Sequence, residues 1–509
     1  MRRISSSPIA SVLVPNTSQP DPLHRQLYDK LREQILLGRF TPGQQMPSTR
    51  VLAADLGVSR NTILYAFEQL KAEGYLEGAT GSGTYVAGAL PEQMVRASRS
   101  APLKRTVQLT ARRWSHFGSR ITRNDAKVIR PALFRPFQPG FPALDAFPFD
   151  IWTRLFNRYR KSGAGALLGY GSTAGYKPLR KAIASYLTVA RGVRCDPEQV
   201  LVVSGAQQAF DLTTRLLLDP GDSVLLEEPG YRGAHAVFEA ASAKLIPVPV
   251  DLNGLNISKA IKSGAKARLV YTMPSHQFPL GTTMSAARRL ELVNWAAESG
   301  ARILEDDYDS EFRYTSRPLP ALQSLDQTGS VIYLGTFSKV LFPALRLGYL
   351  VVPPDLIDGF LIAKAMMDLH CPTIEQAVVA DFIEDGHFSR HIRRMRTLYL
   401  ERLEIFLEAA RAELDGALDI QRPDAGMHVL ARLSPGVDDV AVGRAAASLG
   451  VSSMPLSTCY LLPPNDSGLL LGYAGYGAQQ IRSGMQKLAT VLGKQSITRA
   501  RSVNAFSAK

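Results

Sequence analysis

The chain has 509 residues, 45% hydrophobic and 20% charged, a composition of globular proteins that exceeds one ordinary core and contains no 18-residue apolar run to span a membrane. Its net charge of +14 is uneven: residues 1–135 carry 20 Lys and Arg against 9 Asp and Glu, and the remainder 39 against 36, which predicts a nucleic-acid contact in the first quarter and another task beyond it. Cys195, Cys371 and Cys459 lie far apart, which excludes a disulfide frame or a thiolate metal site, and the start Met1-Arg-Arg-Ile4 lacks the apolar segment of a secretory signal, so a cytoplasmic protein is expected.

Residues 1–20 are expected to form a disordered lead. From Pro22 to Gly38, Leu23, Leu27, Leu31, Ile35 and Leu36 mark one stripe of an amphipathic helix that stops at the glycine. A second helix opens at Ser48 or Thr49 and closes at Gly57, and a third follows with Ser59 as N-cap, Arg60, Asn61 and Thr62 in its first turn, and Ile63, Phe67 and Leu70 as its apolar face. Residues 75–87 alternate like a hairpin with a Thr80-Gly-Ser-Gly83 tip. Two helices across a glycine turn, the second with polar donors at its start, form a helix-turn-helix arrangement. Arg60 suits guanine and Asn61 adenine, free N–H groups suit phosphate, and Arg50 would reach the groove edge. Any three-helix domain shares such periodicity, but turn, cap, donors and wing follow here in order. The segment 21–87 resembles the winged helix-turn-helix domain of GntR-type bacterial transcription regulators, on Met46-Pro-Ser-Thr-Arg50 and Val58-Ser-Arg-Asn-Thr-Ile63. The resemblance implies DNA contacts from Arg50, Ser59, Arg60, Thr62, Thr80 and Gly81.

Residues 88–135 hold 11 Lys and Arg against Glu92 and Asp125. They read as a basic linker, lying along DNA or simply solvated.

From 136 to 495, helical stripes alternate with β-branched runs at 200–203, 223–226, 245–250, 269–272, 301–304 and 331–334, an α/β pattern with a mainly parallel sheet whose ligands sit at the carboxyl ends of the strands. The suggestive clusters follow those runs. Ser204-Gly-Ala-Gln-Gln-Ala-Phe210 opens a helix suited to an anion, Tyr231 offers a ring, Glu305-Asp-Asp-Tyr308 offers carboxylates and a phenol, and Gly335-Thr-Phe-Ser-Lys339 offers a lysine seven residues before Arg346. Alone, Lys339 is either a Schiff-base amine or a solvated loop residue. Jointly these are the parts of a pyridoxal 5'-phosphate site.

This region resembles fold-type I aminotransferases. The resemblance implies Lys339 as the Schiff-base lysine, Asp306 as partner of the pyridine nitrogen, Tyr308 as partner of the 3-oxygen and Tyr231 as the stacking ring. It also implies Ala206, Gln207, Thr336, Ser338 and Arg346 around the phosphate, and Tyr170 as a residue lent by a neighbouring subunit in a homodimer. Two positions depart from the pattern. Phe278 in Pro274-Ser-His-Gln-Phe-Pro-Leu-Gly281 replaces an asparagine that bonds the ring oxygen, and Leu470 stands where an arginine grips substrate carboxylates. Residues 496–509 read as a polar tail.

DNA reader, linker and aminotransferase-like domain in this order resemble the MocR/GabR subfamily of GntR regulators. That implies a transcriptional regulator in the bacterial cytoplasm, at the nucleoid when bound to double-stranded operator DNA, with pyridoxal 5'-phosphate as cofactor and a small amine or amino-acid-like effector sensed through Lys339. It implies no metal and no membrane partner, and at most partial transamination. The alternatives are a working aminotransferase carrying an accessory DNA-binding domain, and a DNA-binding protein whose larger domain holds no cofactor.

Overall fold

The computed structural model describes residues 13–15, 21–79, 83–90, 114–123, 135–161, 165–314, 319–414 and 416–506. The chain divides into two compact units, 1–113 and 114–509.

In the first unit, α1 (Leu23–Leu36), α2 (Thr49–Leu56) and α3 (Arg60–Ala72) precede an antiparallel hairpin of β1 (Leu76–Ala79) and β2 (Gly83–Val86). Leu27, Leu31 and Ile35 of α1 meet Leu52, Ile63, Phe67 and Leu70 in one core, to which Leu13 of the lead also contributes. Leu36, expected on the buried stripe, is 39% exposed; it follows Ile35 by one residue and is turned about 100° away from it. Ser48 caps α2, accepting from the Val51 amide at 3.3 Å, and Gly57 ends it in the left-handed region. Ser59 caps α3 by accepting from the Thr62 amide at 3.1 Å.

The second unit has two sheets. The larger orders its strands β3 (Val200–Val203), β10 (Gly348–Val351), β9 (Val331–Thr336), β8 (Arg302–Asp307), β7 (Leu269–Thr272), β4 (Ser223–Glu228), β5 (Lys244–Asp251) and β6 (Gly254–Leu255). The run from β9 to β5 is parallel, and β10 is antiparallel to both β3 and β9. The carboxyl ends of β3, β4, β7, β8 and β9 therefore share one edge. β3 and β7 are buried at every residue, as unbroken Val/Leu-rich runs require of strands covered on both faces. The smaller, antiparallel sheet orders β11 (Asp419–Ile420), β12 (His428–Arg432), β14 (Gly468–Gly472) and β13 (Met454–Pro455). It buries Leu470 opposite Leu430.

Two helices occupy stretches that the sequence left featureless. Helix α4 (His116–Arg123) lies within the expected linker, where Arg120 Nε donates to the Ala240 carbonyl at 3.0 Å. The last helix, Ala478–Phe506, continues through most of the expected tail. Among the described residues no helix is long and apolar enough to cross a membrane.

Arg191, at the end of the helix Lys177–Arg191, donates from Nε to Asp307 Oδ2 at 2.7 Å, with each side chain 2% exposed, and reaches Ser275 Oγ at 2.5 Å. Tyr333 donates to the same carboxylate oxygen at 2.6 Å. A buried pair is weak evidence of stability, but losing one partner strands the other charge. Arg191→Met is accordingly expected to lower unfolding free energy by about 3–5 kcal/mol in denaturant titrations, and pairing it with Asp307→Leu to recover part of that loss.

Candidate functional site

The clusters named from the sequence fall at the shared strand edge. After β3, Gly205 begins helix α5 (Ala206–Leu217) at φ 115°, and a Cβ there would stand 3.1 Å from Arg346 Nη2. Glycine thus lets the free amides at the start of α5 and the Arg346 guanidinium close on one point, an arrangement that attracts an anion. Arg346 itself holds φ 51° and ψ 44° at the end of a short turn, Pro343–Leu345. Left-handed backbone in a non-glycine residue is strained.

After β4, the Tyr231 ring meets Phe278 edge-on at 5.8 Å, and Gln207 hydrogen-bonds its hydroxyl. Phe278 also packs against His428 at 5.5 Å. At the end of β8, Asp306 is 5% exposed and accepts from the Tyr271 hydroxyl at 2.8 Å. Burial pushes its carboxyl up to about 7; the Tyr271 bond opposes that shift, while Asp307 and Glu227 add to it. Two residues on, Tyr308 Oη lies 3.0 Å from His276 Nδ1, which lies 3.0 Å from both oxygens of Asp309.

After β9, Thr336 Oγ1 accepts from the Ser338 amide at 3.2 Å, and Lys339 Nζ donates to the Gly140 carbonyl at 3.0 Å. Gly140 is at φ 73°, and a Cβ there would come within 2.8 Å of that nitrogen. Burial lowers the lysine pKa, with Arg346 assisting and the Asp309 and Asp306 charges opposing. A lowered pKa raises the fraction of nucleophilic amine. The edge thus gathers an anion cradle, a ring, a buried carboxyl, a phenol and a desolvated amine.

Ala206, Gln207, Tyr231, Asp306, Tyr308, Thr336, Ser338, Lys339 and Arg346 all lie on this edge or its loops. Tyr170 does not join them within the chain: its side chain is 90% exposed, and its ring meets His370 at 6.3 Å. Sequence reasoning missed Tyr271, His276, Asp309 and His428. Tyr271 reads as core within a strand, and nothing in the spacing of the loop residues marks them as partners of Tyr308.

In the first unit, Arg50, Ser59, Arg60 and Asn61 are exposed and Thr62 is half-buried around the start of α3. Arg60 Nε lies 3.4 Å from Thr49 Oγ1, which joins α3 to α2. Thr80 and Gly81 lie outside the described residues.

Two family descriptions match the chain: "Bacterial regulatory proteins, gntR family" over residues 23–86 and "Aminotransferase class I and II" over 145–467. The "Probable rhizopine catabolism regulatory protein MocR" of Rhizobium meliloti is 43% identical, covering 92% of this chain and 93% of its own. The "HTH-type transcriptional regulator TauR" of Rhodobacter capsulatus is 34% identical over 76% of this chain and 79% of its own. Among solved structures, LysN, an α-aminoadipate aminotransferase from Thermus thermophilus complexed with N-(5'-phosphopyridoxyl)-L-leucine, superposes with a TM-score of 0.69 at 31% identity, over 75% of this chain and 97% of that one.

The Asp306 environment gives a signed pH effect. Its folded pKa is raised, so the folded state retains a proton that the unfolded chain releases, and the cofactor-free protein loses stability as pH climbs from about 4 to about 7. Asp306→Asn removes this contribution. Comparing denaturant unfolding of the two cofactor-free proteins, the variant is expected to gain about 2–4 kcal/mol relative to the parent on going from pH 5 to pH 8.

Proposed function

The chain belongs to the MocR-type GntR regulators, DNA-binding transcription regulators that join a winged helix-turn-helix to an aminotransferase-like domain with pyridoxal 5'-phosphate as cofactor, and from that premise we propose that its larger domain senses a small amine or amino-acid-like effector. The domains are 21–87 for DNA, 88–135 as connector and 136–495 for the cofactor. The observation that carries this reading is the desolvated Lys339 amine, set among Asp306, Asp309 and Arg346 in a chain that also carries a DNA reader.

The donor set fits the cofactor. Gly205, with no Cβ to crowd Arg346, leaves room for a phosphate held by the amides of Ala206 and Gln207, by Thr336 and Ser338, and by the guanidinium. Asp306, a buried carboxyl short of charge partners, suits a protonated pyridine nitrogen, which would relieve its desolvation. Tyr231 supplies the stacking face and Tyr308 a hydroxyl for the phenolic oxygen. When bound, the cofactor supplies an electrophilic carbon for Lys339 and a ring that withdraws electrons. Tyr170, exposed on one chain, is the residue a second copy would borrow, which makes the working unit a homodimer.

Arg50, Ser59, Arg60, Asn61, Thr62, Thr80 and Gly81 form the DNA contact, with phosphate at the amides that open α3 and bases at Arg60 and Asn61. Lys339 would hold the cofactor where an amine effector can reach it, and the effector's binding energy would shift the population of states that engage operator DNA. A working aminotransferase is the second reading. It is favoured by the presence of Lys339, Asp306 and Tyr308 and by 32% identity to a 2-aminoadipate transaminase of Thermus thermophilus. Leu470, an apolar side chain buried where transaminases place a carboxylate-binding arginine, weighs against it.

Lys339→Ala is expected to abolish the visible band of the bound cofactor and the response to amines while leaving operator affinity within about threefold. Arg60→Ala is expected to cost about 1–3 kcal/mol of operator binding with the band unchanged. Equal loss of DNA binding in both variants contradicts the division of labour. Multiple turnover with amines and keto acids would establish the enzyme; a spectral change without turnover supports the sensor.

A further inference from the structure

His276 lies outside every role assigned above, yet the structure builds a place for it. Gly426, at φ 92°, faces its ring so closely that a Cβ would stand 2.0 Å from Cε1, and Gly281, at φ 75°, would bring one within 3.3 Å of Nε2. The imidazole is 3% exposed and its partner Asp309 1%. Its Nδ1 lies 3.0 Å from Asp309 Oδ1, 3.0 Å from Oδ2 and 3.0 Å from Tyr308 Oη.

One ring nitrogen carries either a proton or a lone pair, and the neighbours decide which. A lone pair aimed at two carboxylate oxygens would be repelled, so Nδ1 carries the proton. Tyr308 Oη then meets an N–H and acts toward it as acceptor. Its own proton has no place on that nitrogen and must be donated in another direction. We propose that His276, fixed by Asp309, is a positioning residue that makes the Tyr308 hydroxyl an obligate donor to the phenolic oxygen of the bound cofactor. This rests on the reading that Tyr308 faces that oxygen.

The proposal also accounts for Phe278. In place of an asparagine, Phe278 packs edge-on against Tyr231 and against His428 and offers no polar side-chain atom. The phenolic oxygen keeps Tyr308 as its donor on this side, and a hydroxyl free to rotate toward a neighbouring acceptor would serve it poorly. Burial holds the Tyr308 hydroxyl protonated, with its pKa well above the usual value. The other groups facing this corner are Asp306 and Asp307 of β8, Glu227 of β4, Lys339 after β9 and His428 of β12, with Arg313, Tyr314 and Tyr473 on the Asp309 side. Burial lowers the His428 pKa to about 3, so it adds no charge.

The test reads the pH midpoint of the visible cofactor band in the full-length loaded protein. A donor on the phenolic oxygen stabilises its anionic form and lowers that midpoint, so loss of the donor raises it. His276→Leu is expected to raise the midpoint by about one pH unit, the worth of one hydrogen bond, in the same direction as Tyr308→Phe. In the Tyr308→Phe background it is expected to add nothing. His276→Asn, whose amide N–H can replace Nδ1–H, should stay near the parent value. Asp309→Leu, similar in size, takes both acceptors from Nδ1, so the ring can turn a lone pair to Tyr308 and accept its proton; read against the same change in the Tyr308→Phe background, which carries the effect of the lost charge alone, it should also raise the midpoint, and it decides the matter if His276→Leu does not fold. An unmoved midpoint in His276→Leu, an Asp309→Leu shift no higher than the same change gives in the Tyr308→Phe background, or an undiminished His276→Leu increment in that background, overturns the proposal. A parent protein with no visible band, or a band that survives Lys339→Ala, overturns the cofactor reading and this proposal with it.

Discussion

Water is kept from a carboxyl group, and much of the larger unit depends on that exclusion. Asp306 ends the central strand β8 with 5% of its surface exposed and a pKa pushed up to about 7. Taking a carboxylate from water is costly unless something compensates it, and the hydroxyl of Tyr271 in the neighbouring strand offsets only part of that cost. The same dry edge lowers the Lys339 pKa. A buried acid and a half-buried, desolvated base near each other are what the proposed charged ring with its phosphate would meet. Arg191 and Asp307, adjacent to Asp306, show a contrasting outcome: guanidinium and carboxylate pair through Asp307 Oδ2 in a structural role, while Asp307 Oδ1 is buried with no hydrogen-bond partner.

The strands were legible because parallel β-sheet writes itself as short Val- and Leu-rich runs, and each of the six runs named from the sequence lies within or overlaps a strand. Lys339 was legible for a related reason, since a lysine following a wholly apolar run is conspicuous. The caps Ser59 and Gly57 were legible through turn chemistry, and the structure chooses Ser48 over Thr49 for the second helix. The His276–Asp309–Tyr308 cluster was not: it joins two loops 32 residues apart, after β7 and after β8, and only the pairing of those strands brings them together. Helix α4 escaped because the stretch around it is basic and unpatterned, and one hydrogen bond from Arg120 to the Ala240 carbonyl is invisible in sequence. Tyr271 was hidden by its own strand, where a tyrosine reads as packing until its hydroxyl is seen to meet Asp306.

Two kinds of recognition coexist in the chain. Around α3 the donors are exposed on the surface, where long-range charge and phosphate contacts act. At the strand edge Asp306 is buried, Tyr231, Tyr308 and Lys339 are half-buried, and Gln207 and Arg346 are exposed; toward the buried carboxyl each hydrogen bond and charge counts for more because the surrounding dielectric is low. The first arrangement suits a large polyanion met from solvent and the second a small molecule enclosed by protein. Leu470 bears on the second: a fully buried leucine in β14 gives a substrate carboxylate no cation at that position, in accord with the sensing role proposed above.

The most direct measurement is a single titration of the cofactor-loaded full-length protein on operator DNA with a panel of small amines, following the visible band and the fraction of bound DNA together. Linkage requires that an amine acting through Lys339 change both signals with one half-saturation concentration, and that operator DNA shift that concentration in return. This is the predicted result. An amine that saturates the band while leaving DNA binding unaltered, with its half-saturation indifferent to operator, would contradict a sensing role for the larger domain.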